Sequence, residues 1–199
     1  MEFDAVVRHR KMVRTYREDP VDPVVLERIL DRARRGPSAG FSQGVAFLVL
    51  CEPEDVRRFW DAVREDDEPG WPGEGMLRAP VLVVPAAGKD VYLDRYAAQD
   101  KGWEDHDEAH WPVPYWLVDT AFASMLILLA AVDEGLGALF FGLDAGGYAR
   151  LRRAFGMPAA WEPIGVIALG HPAGDDPVRS SAHTRPRKVL EEVVHRGRW

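Results

Sequence analysis

Two groups of basic residues, one near each end of the chain, have side chains that could bind a phosphate. Arg10, Lys11 and Arg14 place three cations within five positions, and Arg185 and Arg187 flank a proline near the C-terminus. Guanidinium groups pair well with phosphate oxygens, so one anion held between the two groups would explain both in a chain of net charge −7. Each group taken alone is also typical of a solvated surface, and that alternative stays open.

A turn rich in small residues could hold a flat ligand. Residues 36–44 include three glycines, one proline and two serines. Small residues let the backbone approach a ligand closely, and Ser38 and Gln43 supply hydrogen-bonding groups there. The same composition is equally typical of a helix end followed by a plain turn, so the pattern supports two interpretations.

The elements that would position these residues alternate between helix and strand. Asp22 and Pro23 predict the start of a helix that stops at Gly36, and Pro53 predicts the start of a second. Residues 45–50 form a continuous apolar run, the pattern of a strand covered on both faces. Further strands are expected at 81–84, 138–141 and 164–169, a further helix is expected around 148–155, and loops are expected at 65–76 and 102–114.

A long helix is expected from Asp119 to Glu134, ended by Gly135. It is apolar nearly all round, which predicts burial on every side, either in the core or across a subunit contact. The apolar part, residues 121–132, is too short to span a bilayer. The alternation of elements predicts one three-layer α/β or α+β domain over residues 1–199.

The composition is that of an ordinary globular protein, with 47% hydrophobic and 29% charged residues. An acidic balance argues against a nucleic-acid partner, and no membrane partner is expected. Cys51 is the only cysteine, so no intramolecular disulfide can form, and the residue is expected to be a small buried hydrophobe. A cytoplasmic location is therefore predicted.

Four segments, in the same order along the chain, resemble motifs of the nitroreductase family, which comprises dimeric FMN-dependent oxidoreductases and includes flavin-destroying and iodotyrosine-dehalogenating branches. The basic stretch 10–16 is similar to a phosphate motif, and 37–43 is similar to a Pro-Ser-x-x-Asn-x-Gln turn. Residues 135–142 look like a Gly-Leu-Gly helix end with its strand, and 185–193 look like a phosphate-binding tail. The resemblance implies an α+β fold with three α/β/α layers, a central mixed sheet, a long buried dimer helix and a tail that reaches the partner subunit.

The resemblance also assigns residues to an FMN site. Phosphate contacts would come from Arg10, Lys11, Met12, Arg14, Arg185 and Arg187. The ribityl chain and the isoalloxazine ring would contact Pro37, Ser38, Ala39, Gly40, Phe41 and Gln43, with the backbone of Phe141 and Gly142 facing the flavin N5 atom. Met12 stands where the family usually has Ser, and Phe41 stands where it usually has Asn, as in the flavin-destroying branch.

The implied activity is hydride transfer from NAD(P)H through flavin N5 to a nitroaromatic, quinone-like or other conjugated acceptor, by a ping-pong mechanism in a homodimer with shared active sites. Flavin chemistry needs no catalytic side chain, and none is predicted. Two alternatives remain, an enzyme of the flavin-destroying type that uses FMN as its substrate, and a non-catalytic flavin-binding homodimer.

An aromatic segment between residues 92 and 116 is expected to cover the flavin and contact a small planar substrate. Its alternative role is a surface excursion anchored by its tryptophans. The predicted substrate-binding residues are Phe41, Tyr96, Trp103, Trp111 and Trp116. His106 and His110 lie four residues apart, but Asp107 replaces the Glu of a zincin motif, so no metal site is expected and a metal-dependent hydrolase is disfavoured.

Overall fold

The computed structural model of the protein describes residues 1–64, 71–174 and 184–199. Its helices are α1 (Phe3–His9), α2 (Pro23–Ala33), α3 (Pro53–Val63), α4 (Glu74–Leu77), α5 (Lys89–Ala97), α6 (Tyr115–Asp133) and α7 (Ala145–Phe155). Its strands are β1 (Val45–Leu50), β2 (Val81–Ala87), β3 (Gly137–Phe141), β4 (Glu162–Pro163) and β5 (Val166–Gly170). Short 3₁₀ turns cover Ala39–Phe41, Glu108–His110 and Leu190–Glu192.

The strands form one sheet in the order β1-β2-β5-β3, with β4 paired to β2. Every pair of named strands is antiparallel. The sheet is therefore antiparallel, whereas a mixed sheet was expected. Parallel pairing occurs only as an isolated bridge between Met12 and Ala138 within the described ranges. The predicted α+β class is confirmed.

Alternate side chains of each strand pack against helices on opposite faces, which gives the three layers. Leu82 and Val84 join a hydrophobic cluster that includes side chains of α3 and α7. Their neighbours Val81 and Val83 join a second cluster with side chains of α2 and α6. This separation is the two-residue period of a strand.

The predicted start of α2 agrees with the structure, whereas the predicted start of α6 does not. Asp22 caps α2 as predicted, since its Oδ1 accepts a hydrogen bond from the Val24 N–H at 2.8 Å. By contrast, α6 begins at Tyr115, four residues before the expected start, and Asp119 lies inside the helix. The Asp119 carboxylate is only 3% exposed and contacts another part of the chain, so it does not cap its own helix.

Three further expectations need correction. Residues 45–49 of β1 are only half-buried because β1 is an edge strand, and Cys51, which follows it, is exposed. The expected loop 65–76 includes part of helix α4, and residues 65–70 lie outside the described part.

Helix α6 is also longer than its most apolar stretch indicated. Within the described residues, its 19 residues are long and apolar enough, by length and composition, to cross a membrane, so the length argument from sequence was wrong. It packs against α2 and against the sheet, however, and half of its most apolar window is buried within the protomer.

Candidate functional site

The turn before β1 has an unusual backbone conformation. Gly40, Phe41 and Gln43 all have left-handed φ angles, of 59°, 54° and 58°. Such a conformation costs about 1–3 kcal/mol at a non-glycine residue and persists only where surrounding contacts impose it. The Phe41 side chain is nevertheless 75% exposed, so its own packing does not supply those contacts.

Hydrogen bonds within the turn hold part of this shape. The Phe41 N–H donates to the Ser38 carbonyl at 2.8 Å. The Ser38 hydroxyl oxygen accepts the Gln43 N–H at 2.8 Å, and the Ser42 hydroxyl donates to the Ala39 carbonyl at 2.6 Å. Ser38, which was predicted to be a ligand-binding residue, therefore also closes the turn.

A buried carboxylate on α6 holds the turn through a hydrogen bond to its backbone. Asp119 Oδ2 accepts the Ala39 N–H at 2.8 Å and the Tyr92 hydroxyl, also at 2.8 Å. Tyr92 lies on α5 and is fully buried. Burial raises the pKa of the Tyr92 phenol, and its hydrogen bond to Asp119 acts in the same direction, so the phenol stays protonated and remains a donor.

Helix α5 packs directly against the turn through two tyrosines. A Cβ atom at Gly40 would lie 2.5 Å from the ring of Tyr96, and one at Gly44 would lie 2.5 Å from the ring of Tyr92. Arg95 adds a hydrogen bond from its Nε to the Gly40 carbonyl at 3.0 Å. These contacts explain why both positions of the turn are glycine.

The predicted aromatic residues of the segment form a connected cluster beside the turn. Tyr96 contacts Trp111 and Trp103, with ring centroids 4.4 and 4.8 Å apart. Trp116 is also connected through Trp111, but it is only 4% exposed and supports the cluster from the protein interior. Trp103 and Trp111 are partly exposed, and Phe41, which lies on the turn, is exposed.

The two histidines of this segment have separate carboxylate partners. His106 Nδ1 lies 3.3 Å from Asp94, and His110 Nε2 lies 3.0 Å from Asp105. The His110 hydrogen bond holds the pKa of Asp105 below its usual value. No group of three side chains able to bind a metal occurs in the described ranges.

The N-terminal cations lie along the other edge of the sheet. The Val13 N–H donates to the Ala138 carbonyl at 3.0 Å, which attaches this segment to β3. Met12 is half-buried, and its sulfur accepts the Phe140 N–H at 3.5 Å, so its side chain packs inward against β3 and the core. Arg10 and Lys11 form no ion pair with any residue that the structure describes, which leaves them suited to an external dianion.

The backbone after β3 is open where the flavin ring was predicted to lie. Phe141 is held by stacking on Trp60, with centroids 5.8 Å apart and an angle of 9°. A Cβ atom at Gly142 would approach nothing closer than the Tyr148 hydroxyl, at 3.8 Å. This glycine therefore leaves space for a flat group and is not required by packing within the protomer.

The turn and the β3 backbone lie at the same end of the sheet but on opposite edges. The turn leads into Val45, which pairs with Ala87, while Phe141 pairs with Val166. Three strand spacings, about 14 Å, separate the two edges. Strand β4 pairs with the end of β2 between them, so a single chain does not bring the two predicted parts of the site together.

The described C-terminal segment, residues 184–199, is exposed throughout. It includes the predicted phosphate ligands Arg185 and Arg187, which form no ion pair with other described residues. Its apolar side chains Val189, Leu190 and Val193 are more than half exposed. The surface of the protomer also presents Phe122 and Met125 of α6.

The cavity under the turn is too small to hold a flavin by itself, and a larger cavity lies away from the predicted site. A cavity of about 150 Å³ under the turn is lined by Ser38, Phe47 and Asp119, among others. Cavities that bind drug-sized ligands usually measure about 300–1,000 Å³. A second cavity, of about 780 Å³, lies beside Cys51 and Trp60, but none of the predicted site residues lines it.

Comparison with known proteins identifies the family. The sequence profile of the Nitroreductase family matches residues 7–171, and the chain belongs to this family. It is 28% identical over 176 residues to a Methanothermobacter thermautotrophicus protein provisionally named NADH dehydrogenase/NAD(P)H nitroreductase, covering 87% of this chain and 78% of that protein.

Solved structures show the same fold. A nitroreductase family protein from Clostridium difficile has a TM-score of 0.74 and 22% identity, with 100% of both chains covered. The Bacillus megaterium protein NfrA1 has a TM-score of 0.76 and 16% identity, covering 100% of this chain and 75% of that one.

Sequence reasoning missed the role of Asp119, although a signal was present. An aspartate surrounded by apolar residues within a helical pattern is costly to bury unless it is hydrogen-bonded. That signal was interpreted as a helix start. The contact with Ala39 could not be anticipated, because it joins residues 80 positions apart.

Proposed function

We propose that the protein is an FMN-dependent oxidoreductase that uses NAD(P)H to reduce a planar conjugated acceptor, such as a nitroaromatic or a quinone. Membership of the nitroreductase family supports an oxidoreductase, and the name of the archaeal relative includes NAD(P)H. The observation that carries the proposal is that the predicted site residues lie in two groups at opposite edges of the sheet. Arg10 and Lys11, which form no ion pair with other described residues, and the open Gly142 backbone lie along β3, and a strained turn with an exposed Phe41 lies at β1.

The residues of this chain fit FMN in their donor chemistry. Arg10 and Lys11 would hold the phosphate, together with Arg185 and Arg187 of the tail. Gly142 would allow the ring to lie against the backbone. When bound, FMN supplies the redox chemistry, since its N5 atom accepts a hydride from a nicotinamide and returns it to an acceptor in a ping-pong cycle.

The aromatic cluster would orient the acceptor and exclude water. Trp103 and Trp111 present partly exposed rings beside the turn, suitable for stacking on a flat substrate. Tyr96 holds both rings in place and also packs on Gly40. Substrate contact and the shape of the turn are thereby linked through one side chain.

We further propose a homodimer in which each site takes its turn from one subunit and its β3 residues from the other. The 14 Å separation within a protomer favours this arrangement. The partner subunit would cover the exposed apolar side chains of the tail and of α6. Monomers rarely expose large apolar patches, so these side chains favour a dimer. Sedimentation velocity at several concentrations tests the proposal, and a monomer at all concentrations would refute it.

One alternative function has a specific observation in its favour. Phe41 presents an apolar ring where the family usually has Asn, and the ring is 75% exposed. This arrangement would also suit an enzyme that binds FMN as a substrate and fragments it with oxygen. Such a protein would bind FMN, remain oxidised with NADH and NADPH, and consume reduced FMN.

The test of the main proposal is spectroscopic. Protein reconstituted with FMN should lose the visible absorbance of oxidised flavin on addition of NADH or NADPH and recover it with a quinone. Arg10→Ala and Arg187→Ala should each weaken FMN binding by about 1.5–3 kcal/mol, or roughly 10- to 150-fold. Arg153→Ala, an exposed arginine on α7, is the matched control and should leave binding unchanged. Unchanged affinity in both variants would remove these arginines from the site.

A further inference from the structure

Asp119 has a buried carboxyl group, and its hydrogen bonds with other described residues lead to the turn or to Tyr92, which supports the turn. The carboxylate is 3% exposed, and no described cation pairs with it. A buried carboxylate that accepts only neutral donors is costly, so a purely structural site is more easily built from apolar residues. The presence of Asp119 in the apolar helix α6 is therefore best explained by the contacts that its carboxylate makes.

Neighbouring polar residues on α6 provide a contrast. The Thr120 hydroxyl donates to the Trp116 carbonyl at 2.7 Å, and the Ser124 hydroxyl donates to the Thr120 carbonyl at 2.8 Å. Both side chains are buried, and both satisfy their hydrogen bonds within their own helix. Only Asp119, among these three, reaches the turn.

The contacts of Asp119 reach the residues on either side of the strained segment, Ala39 before it and Gly44 after it. Its Oδ2 holds the Ala39 N–H directly and fixes the Tyr92 hydroxyl. Tyr92 fills the space in front of Gly44, where a Cβ atom would lie 2.5 Å from its ring. One oxygen atom therefore fixes the turn at its beginning and, through Tyr92, supports its end.

We propose that Asp119 and Tyr92 are positioning residues that keep the 37–43 turn in its left-handed shape before any flavin arrives. This inference rests on the proposed function, because the benefit of a preformed turn is tighter FMN binding. The part played by Asp119 is that of a hydrogen-bond acceptor with fixed geometry. An amide oxygen at the same place would accept the same two donors.

Four variants separate positioning from general stability. Asp119→Ala removes the acceptor, and Asp119→Asn retains one. Tyr92→Phe removes only the hydroxyl and keeps the ring against Gly44. Ser124→Ala is the matched control, since it removes a buried polar group from the same helix without touching the turn.

Three measurements are made on each full-length variant: FMN affinity by fluorescence quenching, thermal unfolding without FMN, and amide hydrogen exchange of the 37–44 peptide without FMN. Asp119→Ala should weaken FMN binding by about 10- to 100-fold and accelerate exchange in the peptide. Tyr92→Phe should weaken binding by about 3- to 10-fold. Asp119→Asn should stay within about threefold of the wild type in affinity, and Ser124→Ala should not change either property.

The outcomes distinguish this inference from the proposed function. A wild-type protein that does not bind FMN refutes the proposed function, and with it the benefit of the preformed turn. If the wild type binds FMN and Asp119→Ala binds it equally well, only the positioning role is overturned. Asp119→Asn behaving like Asp119→Ala would also overturn it. Should Asp119→Ala fail to fold, Tyr92→Phe decides, and unchanged affinity and exchange in that variant refute the inference.

Discussion

Replacing Gly40 by alanine is the most direct perturbation of the turn. The residue has φ of 59°, and an added Cβ atom would lie 2.5 Å from the Tyr96 ring at Cε2. Two separate costs are therefore expected. A left-handed alanine costs about 1–2 kcal/mol, and overpacking against the half-buried Tyr96 ring adds about 1–3 kcal/mol.

Gly156 allows the two costs to be separated. It has φ of 61°, almost the same as Gly40, and an added Cβ atom would meet nothing within 4 Å. Gly156→Ala therefore carries the conformational cost alone. The loss of backbone freedom in the unfolded chain is the same for both substitutions, so it cancels in the comparison. The free energy of unfolding should fall by about 1–3 kcal/mol more for Gly40→Ala than for Gly156→Ala.

Urea denaturation at one fixed protein concentration measures both values, and holding the concentration constant keeps any association equilibrium constant. A Tyr96→Ala substitution should remove the excess cost, so Gly40→Ala measured in that background should match Gly156→Ala. Equal destabilisation by the two glycine substitutions in the wild-type background would refute the close contact between Gly40 and Tyr96.

The remaining predictions concern the aromatic segment between residues 92 and 116 and the ion pair between α2 and the C-terminal end of α6. Trp103→Ala should raise the KM for a planar acceptor by about 2- to 10-fold without changing FMN affinity, and an unchanged KM would exclude a stacking role. Glu134→Gln should lower the Tm at pH 7 by about 0.5–4 °C, because Glu134 accepts hydrogen bonds from Arg28 at 2.7 and 3.2 Å, while Glu27→Gln should have no effect. Since the Arg28 hydrogen bond lowers the pKa of Glu134, the difference should persist above about pH 4.3 and vanish as the pH falls through the lowered value. A difference that grows on acidification would contradict this assignment.

Local signals in the sequence predicted most of the elements. A capping aspartate before a proline placed the start of α2, and continuous apolar runs placed β1 and β2, because these signals depend on neighbours along the chain. The apolar run in β1 predicted a strand covered on both faces, but β1 is a half-buried edge strand. An apolar run alone does not distinguish an edge strand from a central one.

The sequence pointed to the residues of the candidate site but not to the contacts that support them. The turn was singled out from its glycines and serines, with a ligand site and a plain turn both left open, and its left-handed residues were not anticipated. Its attachment to Asp119 and Tyr96 depends on contacts between distant segments, which no local pattern encodes. Met12 illustrates the same limit, because its inward packing follows from the position of β3.

The placement of the turn and of the N-terminal cations on opposite edges of the sheet has a genetic consequence if sites are shared as proposed. A chain with a damaged turn and a chain with a damaged cationic segment would each assemble into an inactive pair. Mixed assemblies would contain one centre with both lesions and one with neither. Two inactive alleles expressed together would then complement each other, whereas two alleles damaged on the same edge would not.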